Sequence, residues 1–182
     1  GGMVVSDDLD ALRKIKFWAT QARESYLHYE HKEIGYNYRM SNIVAGIGRG
    51  QLKALNERIA RKKEIFETYE QAFSALPQIR MMPIAADGNP NYWLTVITLE
   101  QGVKVEPKQV IEILEENNIE SRPVWKPMHL QPVFKEYAYY QHDARDVSAD
   151  IFERGICLPS GTAMTSEEQQ RIIEIVTETV KT

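Results

Sequence analysis

The sequence of 182 residues has only one cysteine and no long run of apolar residues. The single thiol, Cys157, excludes an internal disulfide bond, and we expect a small buried hydrophobic residue rather than a nucleophile. No apolar run approaches the roughly 18 residues that a membrane-spanning helix needs. The first residues also lack the basic and apolar stretches of a secretion signal. These absences predict a cytoplasmic protein with no membrane partner.

A strong charge of either sign and the common phosphate-binding motifs are also missing. The 22 Lys and Arg residues nearly balance the 26 Asp and Glu residues, and the formal net charge is −4. This balance predicts no nucleic-acid partner. A glycine-rich phosphate loop with its lysine is absent, and the pair His28 and His31 has no third ligand at metal-site spacing. We therefore expect no metal site.

Helical periodicity dominates the first half of the sequence. Asp8 is typical of a helix start, and the apolar residues of 9–19 recur at helical spacing. A long helix is predicted over residues 52–76, where apolar residues recur every three or four positions before Pro77 ends the pattern. The basic run 61–63 is expected to be the solvated flank of this helix.

Shorter elements give the second half of the sequence a mixed α+β pattern. Thr165 and Glu168 have the spacing of a capping box before the last helix. Residues 3–5, near the other end of the chain, also have the character of a buried strand. The remaining predicted strands are 78–82, 92–99, 119–124 and 156–158, and further helices are predicted from Pro107 and over 148–154.

A polar, aromatic loop at residues 35–40 precedes a helix that carries few large side chains. Gly46, Gly48 and Gly50 each cost a helix interior roughly 1 kcal/mol relative to alanine. The close approach of another backbone is the usual reason for such a cost. We therefore predict that the helix of residues 41–52 is a buried seam.

Two residues of this loop could bind an anion. Asn37 and Arg39 lie two positions apart, just before the helix. An amide donor, a guanidinium and the positive end of a helix dipole together suit a group such as phosphate. The alternative is that Asn37 caps a turn while Arg39 pairs at the surface. The residues alone leave both interpretations open.

Three prolines stiffen the loop of residues 122–132, which carries Trp125, Lys126 and His129. Tryptophan stacks on rings, lysine binds phosphate and histidine hydrogen-bonds to hydroxyl groups, so the set suits a phosphorylated sugar or a nucleotide. The alternative is a surface turn around an ordinary buried tryptophan. Ser160 lacks the histidine partner of a nucleophile, and we expect it to be a turn or substrate-loop residue.

Taken in order, these motifs resemble the C-terminal half of the DegT/StrS family. Its members are pyridoxal phosphate (PLP)-dependent nucleotide-sugar aminotransferases with the aspartate aminotransferase fold. The resemblance covers nearly the whole chain. The segments that carry it are Gly1-Gly2-Met3-Val4-Val5-Ser6-Asp7-Asp8, Gly35-Tyr36-Asn37-Tyr38-Arg39-Met40, Gln51-Leu52, Arg122-Pro123, Lys126-Pro127-Met128-His129 and Cys157-Leu158-Pro159-Ser160-Gly161.

The resemblance implies the α/β fold of the fold-type I PLP enzymes. Residues 1–51 would be a remnant of the large PLP-binding domain together with the dimer-interface loop. Residues 52–182 would be the small C-terminal α+β domain, and the long helix 52–76 would link the two. Residues 1–40 are then expected to be weakly anchored, because the large-domain sheet that supports them in the family is missing.

The resemblance also implies roles for the candidate residues. Asn37 would reach across a homodimer interface to the cofactor phosphate of the partner subunit, with Arg39 close to the same anionic pocket. Trp125, Lys126 and His129 would line the route by which the nucleotide-sugar substrate enters.

The catalytic group of the family is not expected in this chain. The lysine that forms a Schiff base with PLP would lie just before Gly1, and neither Lys14 nor Lys16 matches its position. We therefore expect no catalytic residue here, no transaminase activity from the chain alone and no retained cofactor.

The implied activity of the parent protein is transfer of an amino group from glutamate to a keto-sugar nucleotide, in particular a UDP-linked 4-keto sugar. One alternative is a PLP-dependent sugar dehydratase, which has histidine in place of the lysine. Another is a non-catalytic dimerisation or substrate-binding module. The residue a few positions before Gly1 separates these alternatives.

Overall fold

A computed structural model of the protein describes residues 2–141 and 145–181. Within these ranges the fold is α/β, with six α-helices and one four-stranded antiparallel sheet. The chain divides into two compact units, Gly1–Leu55 and Asn56–Thr182, which are described separately. No helix in the described ranges is long and apolar enough to cross a membrane.

The first unit contains two helices, α1 (Leu9–Ala19) and α2 (Asn42–Lys53). As predicted, α1 begins after Asp8, whose carboxylate accepts hydrogen bonds from the N–H groups of the first turn. The strand predicted for residues 3–5 is wrong. These residues are exposed and no strand pairs with them among the described residues of this unit.

A short ladder joins the end of α1 to the polar loop. Tyr36 donates its N–H to the Trp18 carbonyl at 2.9 Å, and Thr20 pairs with Asn37 in an isolated antiparallel bridge. Gly35 is required here, because a Cβ atom at this position would lie 2.4 Å from the backbone nitrogen of Ala22. This close approach fixes the path of the chain into residues 36–40.

Helix α2 forms no buried seam with the described residues of its own unit. Ser41 caps it by accepting a hydrogen bond from Val44 N–H at 3.3 Å. A Cβ atom added at Gly46, Gly48 or Gly50 would meet nothing within 4 Å. The predicted seam therefore has no partner among the described residues of the first unit, where α2 is largely exposed.

The long helix predicted for 52–76 is wrong at both ends. Helix α2 stops at Lys53, where the Ala54 N–H closes a tight cap on Gln51 and Leu52 carbonyls. Helix α3 (Leu55–Phe73) then begins, and it ends three residues before Leu76. The apolar residue beyond the end of α3, Leu76, is still buried in the core, whereas Leu52 and Leu55 near its beginning are exposed.

The sheet of the second unit has the order β1-β2-β4-β3. Each strand predicted in this unit exists, but most are shorter than expected, and the strand predicted for 119–124 consists of two residues, Arg122 and Pro123. Val96 and Arg122 both pair with Cys157 on the central strand. The strands are β1 (Ile79–Met81), β2 (Thr95–Leu99), β3 (Arg122–Pro123) and β4 (Gly155–Leu158).

Helices α4 (Pro107–Glu116), α5 (Val147–Arg154) and α6 (Ser166–Lys181) complete the second unit. The capping box predicted before α6 is confirmed: Thr165 N–H donates to the Glu168 carboxylate at 2.8 Å, and Glu168 N–H donates to the threonine hydroxyl at 3.2 Å. One apolar core unites α3, α4, α6 and the sheet. Its fully buried members include Ile65, Tyr69, Ile97, Val110, Leu114, Ile156 and Val176.

Candidate functional site

The candidate residues fall in both units. Asn37 and Arg39 belong to the first unit, and Trp125, Lys126 and His129 belong to the second.

The Asn37 loop presents hydrogen-bond donors to its surroundings. The Asn37 side-chain oxygen accepts the N–H of Arg39 at 3.3 Å, so the amide nitrogen is the remaining donor of this side chain. Neither this nitrogen nor the Arg39 guanidinium has a partner among the described residues, and both side chains are exposed. With the N-terminus of α2 following at Ser41, the donors form a set that suits an oxyanion.

Lys14 and His31 of the same unit make local contacts. Glu33 accepts hydrogen bonds from Lys14 and, at 2.7 Å, from the Trp18 indole; the lysine contact is the main cause that lowers the pKa of this carboxyl. His31 contacts the carbonyls of Gln21 and Ala22. No group of three metal-ligating side chains occurs within the described ranges.

In the second unit a cavity of about 550 Å³ opens beside the sheet. Trp125 lines it together with Trp93, and the two ring centroids lie 5.8 Å apart with planes tilted by 32°. The remaining apolar wall consists of Leu94, Pro123, Val124, Phe152, Cys157, Leu158 and Pro159. A largely apolar concave surface of this size is typical of a small-molecule site.

Charged side chains stand at the edge of this cavity. Arg122 pairs with Glu120 through its Nε at 2.9 Å, and both side chains are about three-quarters exposed, 76% and 74%. The ammonium group of Lys126 is exposed and has no partner among the described residues. The cavity therefore combines two cations with one carboxylate at its edge.

Cys157 contributes to the wall as a buried thiol, as predicted. Burial raises the pKa of this group, so the neutral thiol is the stable form at neutral pH. It is a structural member of the wall.

Lys62 supports the cavity wall through hydrogen bonds to two of the residues that line it. Its ammonium donates to the Trp93 carbonyl at 2.9 Å and to the Ser160 carbonyl at 2.8 Å. The prediction of a solvated basic flank is therefore wrong for Lys62, and also for Arg61, which donates to the Met164 carbonyl. Lys63 alone stays exposed on that face, 3.6 Å from a glutamate of the next turn.

The hydroxyl of Ser160 is committed to the same framework. It accepts the Thr95 N–H at 2.9 Å and donates to the Leu158 carbonyl at 3.0 Å. Tyr69 donates to the neighbouring Pro159 carbonyl at 3.1 Å. Ser160 is thus a turn residue that fixes the loop against the sheet.

His129 lies apart from the cavity wall. Its Nε2 is 2.7 Å from the Asp146 carboxylate, its ring stacks on Tyr139 at 3.7 Å, and only 16% of its side chain is exposed. Asp146 caps α5 through Ala149 N–H, and this hydrogen bond, ahead of those from Ser148 and His129, lowers the pKa of Asp146 to about 2. The structure therefore brings Trp125 and Lys126 together and places His129 in a cap cluster.

A family model matches residues 1–177 of the chain, and its description is the DegT/DnrJ/EryC1/StrS aminotransferase family. The chain belongs to this family. The proteins that are similar to this chain include transaminases of nucleotide-linked sugars. GDP-perosamine synthase of Caulobacter vibrioides is 32% identical over 174 residues, which are 95% of this chain and 46% of that protein.

EpsN of Bacillus subtilis, provisionally named a pyridoxal phosphate-dependent aminotransferase, is 49% identical over 177 residues, 97% of this chain and 45% of EpsN. The chain thus spans about half the length of the curated relatives it matches. The solved structure of Helicobacter pylori PseC, an aminotransferase involved in the biosynthesis of pseudoaminic acid, superposes with a TM-score of 0.83 at 23% identity, covering 97% of this chain and 48% of PseC. This likeness establishes the aminotransferase fold.

Proposed function

We propose that the full-length protein containing these residues is a PLP-dependent aminotransferase that moves an amino group from glutamate to a nucleotide-linked keto sugar in the cytoplasm. The observation that carries this proposal is the family match over residues 1–177. Relatives that aminate sugars support the acceptor class. The likeness of the loop 125–129 to enzymes that aminate the 4-position of UDP-linked sugars favours a UDP-linked 4-keto sugar.

The residues of the Asn37 loop fit the phosphate of PLP. The amide nitrogen of Asn37 and the Arg39 guanidinium are exposed donors without partners among the described residues. In the proposed homodimer, Asn37 binds the phosphate of the cofactor held by the partner subunit, and Arg39 raises the positive potential there. PLP, when bound, supplies the electron sink and the amino-group carrier.

The remaining half of the active site belongs to the rest of the full-length protein in this proposal. The chain spans 45% of EpsN and 46% of the synthase, which leaves room for the lysine and the ring-binding groups in the other half. We therefore expect the 182 residues alone to transfer no amino group and to retain no PLP.

The test is turnover by the purified full-length protein. It is supplied with PLP, glutamate and a panel of keto-sugar nucleotides, and 2-oxoglutarate and amino-sugar are measured together. Equal formation of both products supports the proposal. If a deoxygenated sugar forms without consumption of glutamate, the protein is a dehydratase instead. If the full-length sequence has neither lysine nor histidine a few positions before Gly1, the protein is a non-catalytic module.

A further inference from the structure

We propose that His31 and the turn Gln21-Ala22 are positioning residues for Asn37. This inference rests on the proposed function, in which Asn37 binds the cofactor phosphate. The turn and the histidine hold the backbone on which the Asn37 amide is mounted, and they do not themselves touch the phosphate.

The turn that follows α1 has a strained backbone. Gln21 and Ala22 have φ angles of 72° and 49°, in the left-handed region that residues with a side chain rarely adopt. Two such residues in succession persist only where the surrounding contacts fix them. Ala22 donates its N–H to the Phe17 carbonyl at 2.9 Å, and its side chain is completely buried. Backbone strain of this kind clusters at functional sites, and this turn lies directly beside the Asn37 loop.

The turn contacts the Asn37 loop through the backbone. Gln21 donates its N–H to the Tyr36 carbonyl at 3.2 Å, next to the bridge between Thr20 and Asn37. Gly35 packs so closely on the turn that an added Cβ atom would lie 2.5 Å from the carbonyl carbon of Gln21. A rotation of the turn therefore moves the backbone of Asn37, and the side-chain amide moves with it.

His31 stabilises the turn from the returning part of the chain. Its Nδ1 lies 3.0 Å from the carbonyl oxygen of Gln21 and 3.2 Å from that of Ala22. Carbonyl oxygens only accept hydrogen bonds, so Nδ1 carries the proton and donates to both. Because one nitrogen reaches both oxygens, the two carbonyls of the strained turn face the same way, and a single imidazole satisfies them.

A separate contact holds the returning segment on α1. The Trp18 indole donates to the Glu33 carboxylate at 2.7 Å, and Lys14 contacts the same carboxylate. Glu33 thus fixes the segment that leads to Asn37, whereas His31 fixes the turn that pairs with it. The two contacts together define the position of the Asn37 backbone from both sides.

The affinity of the full-length protein for PLP, measured by equilibrium dialysis, tests this role. His31→Leu removes the donor, and we expect the dissociation constant for PLP to rise roughly threefold to tenfold. His31→Asn places an amide N–H near the position of Nδ1 and should restore the affinity to within about twofold. His28→Leu is the matched control, because this exposed histidine pairs with Glu30, and it should change the affinity less than about twofold. Unchanged affinity in His31→Leu overturns the proposal.

A double-mutant cycle separates a positioning role from a general structural one. If His31 acts through Asn37, its loss has little effect once the Asn37 amide is gone. His31→Leu in an Asn37→Ala background should therefore weaken PLP binding less than about twofold. Full additivity of the two substitutions would show that His31 acts independently of Asn37, and the proposal would fail.

Variants of the turn give a second test that does not depend on His31→Leu folding normally. Gln21 is exposed, so its replacement disturbs little packing. Valine is strongly disfavoured at a positive φ, whereas glycine adopts this conformation freely. We expect Gln21→Val to weaken PLP binding at least roughly threefold more than Gln21→Gly does. Equal affinities in the two variants contradict a role for the left-handed turn.

Hydrogen exchange of the full-length protein without PLP separates this inference from the proposed function. We expect exchange of residues 36–40 to be roughly threefold to tenfold faster in His31→Leu, while exchange in β2 stays the same. A protein that binds no PLP overturns the proposed function, but faster exchange at 36–40 still supports the positioning of the loop. A protein that binds PLP and transfers amino groups, but whose exchange at 36–40 is insensitive to His31→Leu, overturns the positioning role and leaves the function standing.

Discussion

The ammonium group of Lys62 lies 2.8 Å from the carbonyl oxygen of Ser160 and 2.9 Å from that of Trp93. One side chain of α3 thereby ties together two loops that are 67 positions apart, the difference between 160 and 93. Burial lowers the pKa of this lysine from its ordinary value. Lys62 is a positioning residue for the tryptophan cavity.

Replacing Lys62 by methionine removes both donors and keeps a side chain of similar length. We expect the free energy of unfolding to fall by about 2 kcal/mol, because two carbonyls lose a charged partner in a partly buried position. Lys62→Arg retains a donor and restores part of the loss. Urea unfolding of the chain measures the change, and the tryptophan emission maximum, measured in a Trp18→Phe background, reports movement of the loops that carry Trp93 and Trp125.

The neighbouring residue supplies the matched control for this experiment. Lys63 is exposed and reaches only a glutamate of the next turn at 3.6 Å. Lys63→Met is therefore expected to change the stability by less than about 0.5 kcal/mol. Equal effects at the two positions would show that Lys62 acts through its general charge and not through the two carbonyls.

Lys62 also shows what the sequence could reveal about the site. It is the one polar residue in an otherwise apolar stripe of the long helical pattern, which is a signal for a side chain that faces inward. Prolines mark the loop of Trp125 and Lys126 in the sequence and identify both residues as candidates. Trp93 has no such signal, because a tryptophan two residues before a strand resembles part of that strand, and only the folded chain brings it to Trp125.

The fold followed the sequence in element type more closely than in boundaries. The capping box at Thr165 and the aspartate cap at Asp8 are local signals, and both are confirmed. The apolar periodicity alone predicts a helix that continues through Ala54, but Ala54 is the C-cap residue at which α2 ends. The predicted seam at Gly46 lies on a surface where an added Cβ atom would meet no atom within 4 Å. A sequence pattern within one chain cannot identify the partner that would cover this surface.

Gly35 and Gly46 are expected to respond in opposite ways to alanine. At Gly35 a Cβ atom would lie 2.4 Å from the Ala22 backbone nitrogen, so Gly35→Ala opens the ladder that holds Tyr36. The local opening free energy should fall by at least about 1 kcal/mol, which speeds amide exchange at Tyr36 roughly fivefold to tenfold. Gly46→Ala meets open space in this chain and slows exchange in α2.

The same substitution at Gly46 tests the seam in the full-length protein. If another backbone packs closely on α2 there, Gly46→Ala weakens assembly even though it stabilises the chain alone. Size-exclusion chromatography of both proteins measures the difference. A full-length variant that assembles normally would contradict the predicted seam.

The cap cluster at Asp146 predicts a dependence of stability on pH. The pKa of Asp146 in the folded chain is about 2, below its ordinary value of 3.8, mainly through the Ala149 N–H. The carboxylate therefore contributes stability that is fully present above about pH 4 and is lost as the pH falls through about 2. Asp146→Asn keeps a capping oxygen but removes the charge, so its stability deficit should shrink between pH 5 and pH 2.

Urea unfolding at several pH values measures this deficit. Asp87→Asn, at an exposed turn residue without a side-chain hydrogen bond among the described residues, is the control and should match the unchanged chain throughout. A deficit at Asp146 that stays constant from pH 5 to pH 2 would show that shape, and not charge, matters in this cluster.

Asn37→Ala in the full-length protein tests the proposed contact with the cofactor phosphate. The substitution removes a donor to a charged group, a contact of about 1.5–3 kcal/mol, so the affinity for PLP should fall roughly tenfold to hundredfold. Equilibrium dialysis against PLP measures the loss, with Asn56→Ala, an exposed amide of α3, as the control. The only described partner of the Asn37 side chain is the Arg39 N–H, so the substitution disturbs few other contacts. Unchanged affinity for PLP in a variant that still forms the dimer would therefore show that the phosphate binds elsewhere.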